Sequence, residues 1–317
     1  MPRQYRAAGP GPGVRRGAAV ACWTVGIGRQ DRERLGITDH GGPDGAGPGD
    51  GRTILLLHGL MGRGSAWAPH VGWLRRYGHV YTLDAAWHRG REWVDPYAEL
   101  HDVAVPAGTA EPADAALRTE RFVADAAAAL EAVGDGPAVV IGHSMGGLHA
   151  WCLAAARPDL VEAVVVEDMA PDFYGWTTGP WDGWFGSWPE EFTRAQATGM
   201  FGEVAGRYFL DSFDRTAHGW RLHGRIPVWQ RIAQHWGTRT YWLQWSQVRC
   251  PALLIEAEHT LTPEGQMRRM AVQDRGPGVA TRYVRVADAG HLVQSDAPDE
   301  YRGAVEAFLS ELGGPPR

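Results

Sequence analysis

The pentapeptide Gly142-His143-Ser144-Met145-Gly146 constrains this chain more than any other stretch. It follows the apolar run Val139-Val140-Ile141 and leads through Gly147 into a helix-forming segment. Where a strand reverses sharply into a helix the two backbones come close, so the residues flanking the turn must be small. Gly142, Gly146 and Gly147 meet that need. A serine at the centre of such a turn is strained into an exposed position above a sheet, where its hydroxyl can attack a substrate. The same five residues also fit a glycine-rich loop without chemistry, so the rest of the chain has to decide.

Thr53-Ile54-Leu55-Leu56-Leu57 is unbroken in its apolarity, as for a strand buried on both faces. Further strands are expected at 79–84, 163–168, 252–256 and 282–286, the last followed by a loop over 287–291. Helices are expected over about 65–76 with Ser65 as N-cap, and over 118–133, 146–156 and 263–270. A final helix over 299–311 reads as capped by Ser295-Asp296-Ala297-Pro298 and closed by Gly313-Gly314. Strands alternating with helices give an α/β class, a mostly parallel sheet covered on both faces. Ligands then bind outside the carboxyl ends of the strands. Residues 1–48 read as a mostly flexible segment in which 18–25 could form an edge strand, and 39–51 as a Gly/Asp/Pro loop. Residues 49–170 and 246–317 carry the α/β rhythm. Between them, 171–245 shows no strand alternation, only short helical stretches such as 190–199 and 229–236.

Composition narrows the function classes. A net charge of −6 gives no basic footprint for nucleic acid. No apolar run reaches the roughly 18 residues of a membrane span. The apolar run after Arg15-Arg16 is short and meets Gly28-Arg29-Gln30-Asp31-Arg32 at once, so export is not expected. Cys22, Cys152 and Cys250 lie far apart, which fits a reducing, cytoplasmic setting and no metal spacing. Gly59-x-x-Gly62-x-Gly64 lacks the Lys-Ser/Thr of a phosphate loop, so no cofactor is expected. Of 15 Trp, most fall between Trp151 and Trp245, so that section is expected to line something large and apolar.

Acyl transfer by a serine needs a base, an acid that orients the base, and an oxyanion hole. His291, in Asp288-Ala289-Gly290-His291 after the last strand, is the leading base. His143 and His149 are nearer in sequence, but one lies on the turn and the other on its helix. The acid has two candidate places. Asp168 ends the strand after the elbow helix and should emerge beside Ser144. Glu256 and Glu258 lie at the end of the 252–256 strand, where Thr260 occupies the position at which many such enzymes carry Asp. Asp168 is preferred, with Glu258 as the alternative. The oxyanion donors are expected to be the backbone N–H groups of Met145 and Leu60, the latter following His58-Gly59 at the end of the first apolar strand.

Taken together, Leu57-His58-Gly59-Leu60, Gly142-His143-Ser144-Met145-Gly146-Gly147 and Gly290-His291-Leu292 resemble the α/β-hydrolase superfamily from about residue 52 to 312. The segment Val166-Glu167-Asp168-Met169-Ala170-Pro171 is similar to members that take their acid from after the family's sixth strand, among them compact esterases and thioesterases. The resemblance implies that 171–245 forms a helical cap over the site. It also implies a serine hydrolase acting on a small-molecule ester, thioester or lactone, and the Trp-rich section motivates an apolar or aromatic acyl group. His58, Gly59, Trp176 and Trp184 would then contact substrate. The family often shows Arg-Gly-His-Gly after its fourth strand, whereas this chain reads Asp84-Ala85-Ala86-Trp87-His88-Arg89-Gly90. A serine nucleophile sets it apart from haloalkane dehalogenases and epoxide hydrolases, which use Asp. Two other readings stay open: a C–C bond hydrolase or biosynthetic tailoring enzyme on the same fold, and a non-catalytic binding protein.

Overall fold

In a computed structural model, the described residues are 35–43, 51–91 and 112–313. The strand expected at 18–25 lies outside them. The strands, in chain order, are β1 (Ile37–Asp39), β2 (Thr53–Leu57), β3 (His79–Leu83), β4 (Ala138–His143), β5 (Val161–Glu167), β6 (Glu191–Phe192), β7 (Asp214–Arg215), β8 (Trp220–Arg221), β9 (Ala252–His259) and β10 (Thr281–Gly290). Seven of them make one sheet in the order β1-β3-β2-β4-β5-β9-β10. Only the β1–β3 pair is antiparallel. This is the α/β-hydrolase fold that the motif order implied.

The buried strands divide their side chains by the period of two. Leu55, Leu57, Val140, Val164 and Val166 face the helices Thr119–Val133 and Met145–Ala156. Ile54, Leu56, Ile141, Val165 and Leu253 face Trp67, Trp73 and the last helix, Pro298–Glu311. Both faces are therefore apolar, which explains why the strands read as unbroken runs rather than alternating ones.

Several boundaries depart from expectation. Gly64–Trp67 is a separate 3-10 turn before the helix Ala68–Leu74, which carries Pro69 in its first turn. Ser65 caps nothing there; its hydroxyl donates to the Asp211 carbonyl, 2.6 Å away. β10 runs through most of the expected loop and ends at Gly290 after a bulge. Ser295 and Asp296 belong to the short helix Val293–Asp296, and Asp296 accepts the Gly290 N–H instead of capping the final helix.

The insertion between β5 and β9 holds the helices Gly179–Gly186, Arg194–Ser212 and Ile226–Trp236. It also holds a small antiparallel sheet, β6-β8-β7, that the sequence did not announce. Two-residue strands are too short to show a period. The ends of the insertion meet: Asp172 bridges Thr240, and the Tyr241 N–H donates to the Pro171 carbonyl at 2.6 Å.

Candidate active site

Strand β4 delivers Ser144 with φ 52° and ψ −121°. An L-residue holds that conformation only when its surroundings over-determine it. Here they do. A Cβ on Gly142 would fall 2.2 Å from the Gly146 carbonyl oxygen, and one on Gly146 would fall 2.2 Å from that of Leu57. The Ser144 N–H also donates to the Glu167 carbonyl, extending the β4–β5 ladder into the turn. Among the described residues, the non-glycine residues with positive φ are Met61, Trp87, Ser144, Asp168 and Asp288. They fall toward the carboxyl ends of β2, β3, β4, β5 and β10 respectively, so backbone strain is gathered at the end of the sheet where ligands bind in such folds.

Asp168 leaves β5 fully buried. Its Oδ2 accepts from His291 Nδ1 at 2.7 Å and from the Thr260 hydroxyl at 2.9 Å, while its Oδ1 accepts the Ala257 N–H at 3.0 Å. The structure thus brings together Asp168 and His291, the preferred pair. Glu258 is placed elsewhere. It pairs with Arg285 at 3.2 Å and accepts the Asp288 N–H, partly exposed to solvent. Glu256 accepts from the Tyr283 hydroxyl. Thr260, where a carboxylate was sought, donates to the carboxylate of the neighbouring strand.

Two further groups hold this corner. His143 Nε2 donates to the His291 carbonyl at 3.0 Å. Burial, with His291 beside it, keeps the His143 imidazole neutral to well below its ordinary pKa. Glu167, next to Asp168, is completely buried and accepts the Gln294 N–H at 2.9 Å. Burial pushes its carboxyl well above the usual range. Consecutive residues at the end of β5 therefore fix the His291 ring and the backbone three residues beyond it. Neither His143 nor Glu167 stood out in sequence, because both lie inside motifs whose signal is carried by a neighbour.

Gly59 lies against the serine: a Cβ there would fall 3.2 Å from Ser144 Cβ and 2.7 Å from His143 Nδ1. Met145 is the first residue of its helix, so its N–H has no intrahelical partner. Leu60 follows Gly59 on the loop facing it. His58 departs from the expectation of substrate contact. Its ring is buried and both nitrogens serve backbone groups, the Gly59 carbonyl at 2.7 Å and the Ala85 N–H at 3.0 Å. His149 stacks on Phe122 inside the core.

The tryptophans divide. Trp229, Trp236 and Trp245 are core residues. Trp188 packs among Trp184, Phe201, Phe192 and Phe213 within the insertion. Trp176 and Trp184 remain 45% and 38% exposed, on Phe173 and on that aromatic cluster. Most of the indole surface is thus used in packing, and less of it than expected is free to line a cavity.

Residues 54–304 match the model of the alpha/beta hydrolase family. Lipase LipV of Mycobacterium tuberculosis is 37% identical over 293 residues, 83% of this chain and 95% of that protein. The (E)-2-((N-methylformamido)methylene)succinate hydrolase of Acinetobacter baylyi is 24% identical over 280 residues, 82% of this chain and 91% of its own. Among solved structures, E-2-(acetamidomethylene)succinate hydrolase superposes with a TM-score of 0.66 at 16% identity, covering 86% of this chain and 94% of its own. The chain belongs to the alpha/beta hydrolase family. No helix of the described residues is long and apolar enough to cross a membrane.

Proposed function

We propose that the protein is a serine hydrolase that cleaves a carboxylic ester, thioester or lactone with an apolar or aromatic acyl group. Ser144 is the nucleophile, His291 the general base and Asp168 the acid that orients it. The observation that carries this reading is the 2.7 Å contact between His291 Nδ1 and Asp168 Oδ2, beside a serine held at φ 52°. With Nδ1–H committed to Asp168, the His291 Nε2 lone pair is left to take the serine proton. The oxygen attacks the acyl carbon, and the N–H groups of Leu60 and Met145 stabilise the oxyanion. The protonated His291 returns the proton to the leaving group, and water, deprotonated by the same ring, hydrolyses the acyl-enzyme. The relatives' names include a lipase and an (E)-2-((N-methylformamido)methylene)succinate hydrolase, so the acyl preference rests on the aromatic insertion with Trp176 and Trp184.

A panel of p-nitrophenyl esters of increasing chain length, with a fluorophosphonate probe, tests it. The expected outcome is turnover and labelling, both lost in Ser144→Ala. Absence of turnover and of labelling in the unaltered protein would sink the reading. Good turnover only of short, polar acyl groups would remove the apolar preference alone.

A further inference from the structure

Three histidines from separate parts of the chain converge on the loop Gly59–Gly62. His58 follows β2, His88 sits in the turn after β3, and His223 comes from the insertion. All are buried, His88 and His223 completely. Each holds a different peptide group. Gly59 O accepts from His58 Nδ1 at 2.7 Å and from the Gly62 N–H at 3.0 Å. The Met61 N–H donates to His88 Nε2 at 3.2 Å. Gly62 O accepts from His223 Nε2 at 3.1 Å.

The consequence for Leu60 follows from peptide geometry. Gly59 C=O and Leu60 N–H belong to one trans peptide unit, so they point in opposite directions. Fixing the carbonyl aims the N–H. The next unit is fixed through its own N–H, on Met61, a residue at φ 63° that the loop would not hold unaided.

His88 is prepared for this. The turn closes by His88 N–H to Ala85 O at 3.0 Å, and Trp87 adopts φ 67°. Its ring stacks on Trp229 with centroids 5.4 Å apart, and its Nδ1 donates to Ala86 O at 2.9 Å. With the proton on Nδ1, Nε2 carries the lone pair that meets the Met61 N–H. The surroundings keep the imidazole uncharged: burial comes first, then the neighbouring His58 and His223, both lowering its pKa well below the ordinary value. The charged groups nearest this cluster are Asp84, Arg63 and Arg89, which act on His58, Arg63 also on His223.

We propose that His88 is a positioning residue for the oxyanion loop, holding the Met61 N–H through its Nε2 lone pair, and that His223 ties the same loop to the insertion. The proposal rests on the reading of Leu60 as an oxyanion donor. It also explains the departure at Asp84–Gly90: the turn there presents a histidine inward, to the backbone of the neighbouring loop.

The test has two arms. In the unaltered protein, long-range ¹H–¹⁵N spectra of labelled histidine at pH 7, assigned with His88→Gln, are expected to show His88 neutral with its proton on Nδ1. A charged ring or a proton on Nε2 overturns the proposal. In kinetics, His88→Phe keeps the ring stacking and removes the acceptor. Its kcat is expected to fall about 10- to 100-fold, with KM changed less than about threefold. His88→Gln, which can place an amide oxygen near Met61, is expected to stay within about fivefold of the unaltered enzyme. Equal loss in both variants, no loss in His88→Phe, or a change in KM alone overturns the positioning role. If the unaltered protein neither turns over esters nor labels at Ser144, the hydrolase reading fails, while the tautomer still decides the clamp.

Discussion

Strands β5 and β9 lie side by side, run parallel and end at the same site, yet they play opposite electrostatic parts. β5 is followed at once by a carboxylate acceptor, Asp168. β9 and the residues after it supply donors to that acceptor, the Ala257 N–H and the Thr260 hydroxyl. The carboxylates that β9 does carry are turned elsewhere, Glu256 to Tyr283 and Glu258 to Arg285. The cause is local. Asp168 adopts φ 44°, so the chain turns as it leaves the sheet and the side chain comes to lie under His291. A hydrogen-bonded acid is thus made by two strands, and a search for it on one strand finds only half.

Substitutions can break that division. Asp168→Asn keeps a side chain that tolerates positive φ, and it should lower turnover by about 10⁴-fold if the acid orients His291. Adding Thr260→Asp to that variant tests whether the two strand ends are interchangeable. The Thr260 hydroxyl already lies 2.9 Å from Asp168 Oδ2, so a carboxylate there should recover about tenfold over Asp168→Asn, within the scale of one charge-assisted hydrogen bond. No recovery would mean that the β5 position alone meets the geometry. Thr260→Ala removes one donor and should reduce kcat about fivefold, the equivalent of about 1 kcal/mol. Glu258→Gln, by contrast, should change kcat by less than about twofold, because its partners lie at the surface. A large effect there would overturn the assignment of the acid to β5.

The smallest effect contrasts two adjacent residues. Glu167→Gln should leave activity nearly unchanged, against the large loss expected for Asp168→Asn. Burial raises the Glu167 pKa in the fold, so between the ordinary carboxylate value and that raised value the folded state keeps a proton the unfolded chain releases. Stability from this group is therefore lost as pH rises through that window. Thermal melts from pH 5 to 8 should show Glu167→Gln gaining on the unaltered protein as pH increases. A widening deficit would mean that Glu167 is a stabilising anion.

The sheet was largely legible in the sequence because burial on both faces writes each strand as an apolar run. Thr53–Leu57 matches residue for residue. The elbow and the loop before it were legible because close backbone approach demands glycine at fixed places. The insertion was legible only as a change of period. Its small sheet leaves no alternation, and its aromatic residues mark packing and binding with the same letters. The support around the site was legible least. His88, His223, His143 and Glu167 act on backbone groups far away in sequence, and a backbone N–H looks the same after every residue. The exception was Asp84–Gly90, where a departure from the usual pattern marked the place without giving its meaning.

The meeting of the two ends of the insertion has a wider consequence. Pro171 and Tyr241 are joined by a hydrogen bond, so the seventy or so residues between them form a closed detour rather than a span. The flanking strands are tied at this junction, while the detour itself also reaches back to the core, through the Asp211 carbonyl to Ser65, Asp214 to Arg63 and Trp229 to the Trp87 carbonyl. A change of length inside the detour is therefore expected to spare the register of β5 against β9 only where such contacts are kept. His223 makes another of them: a replacement segment that returns no donor to Gly62 would leave the Gly59–Gly62 loop without one of its hydrogen bonds.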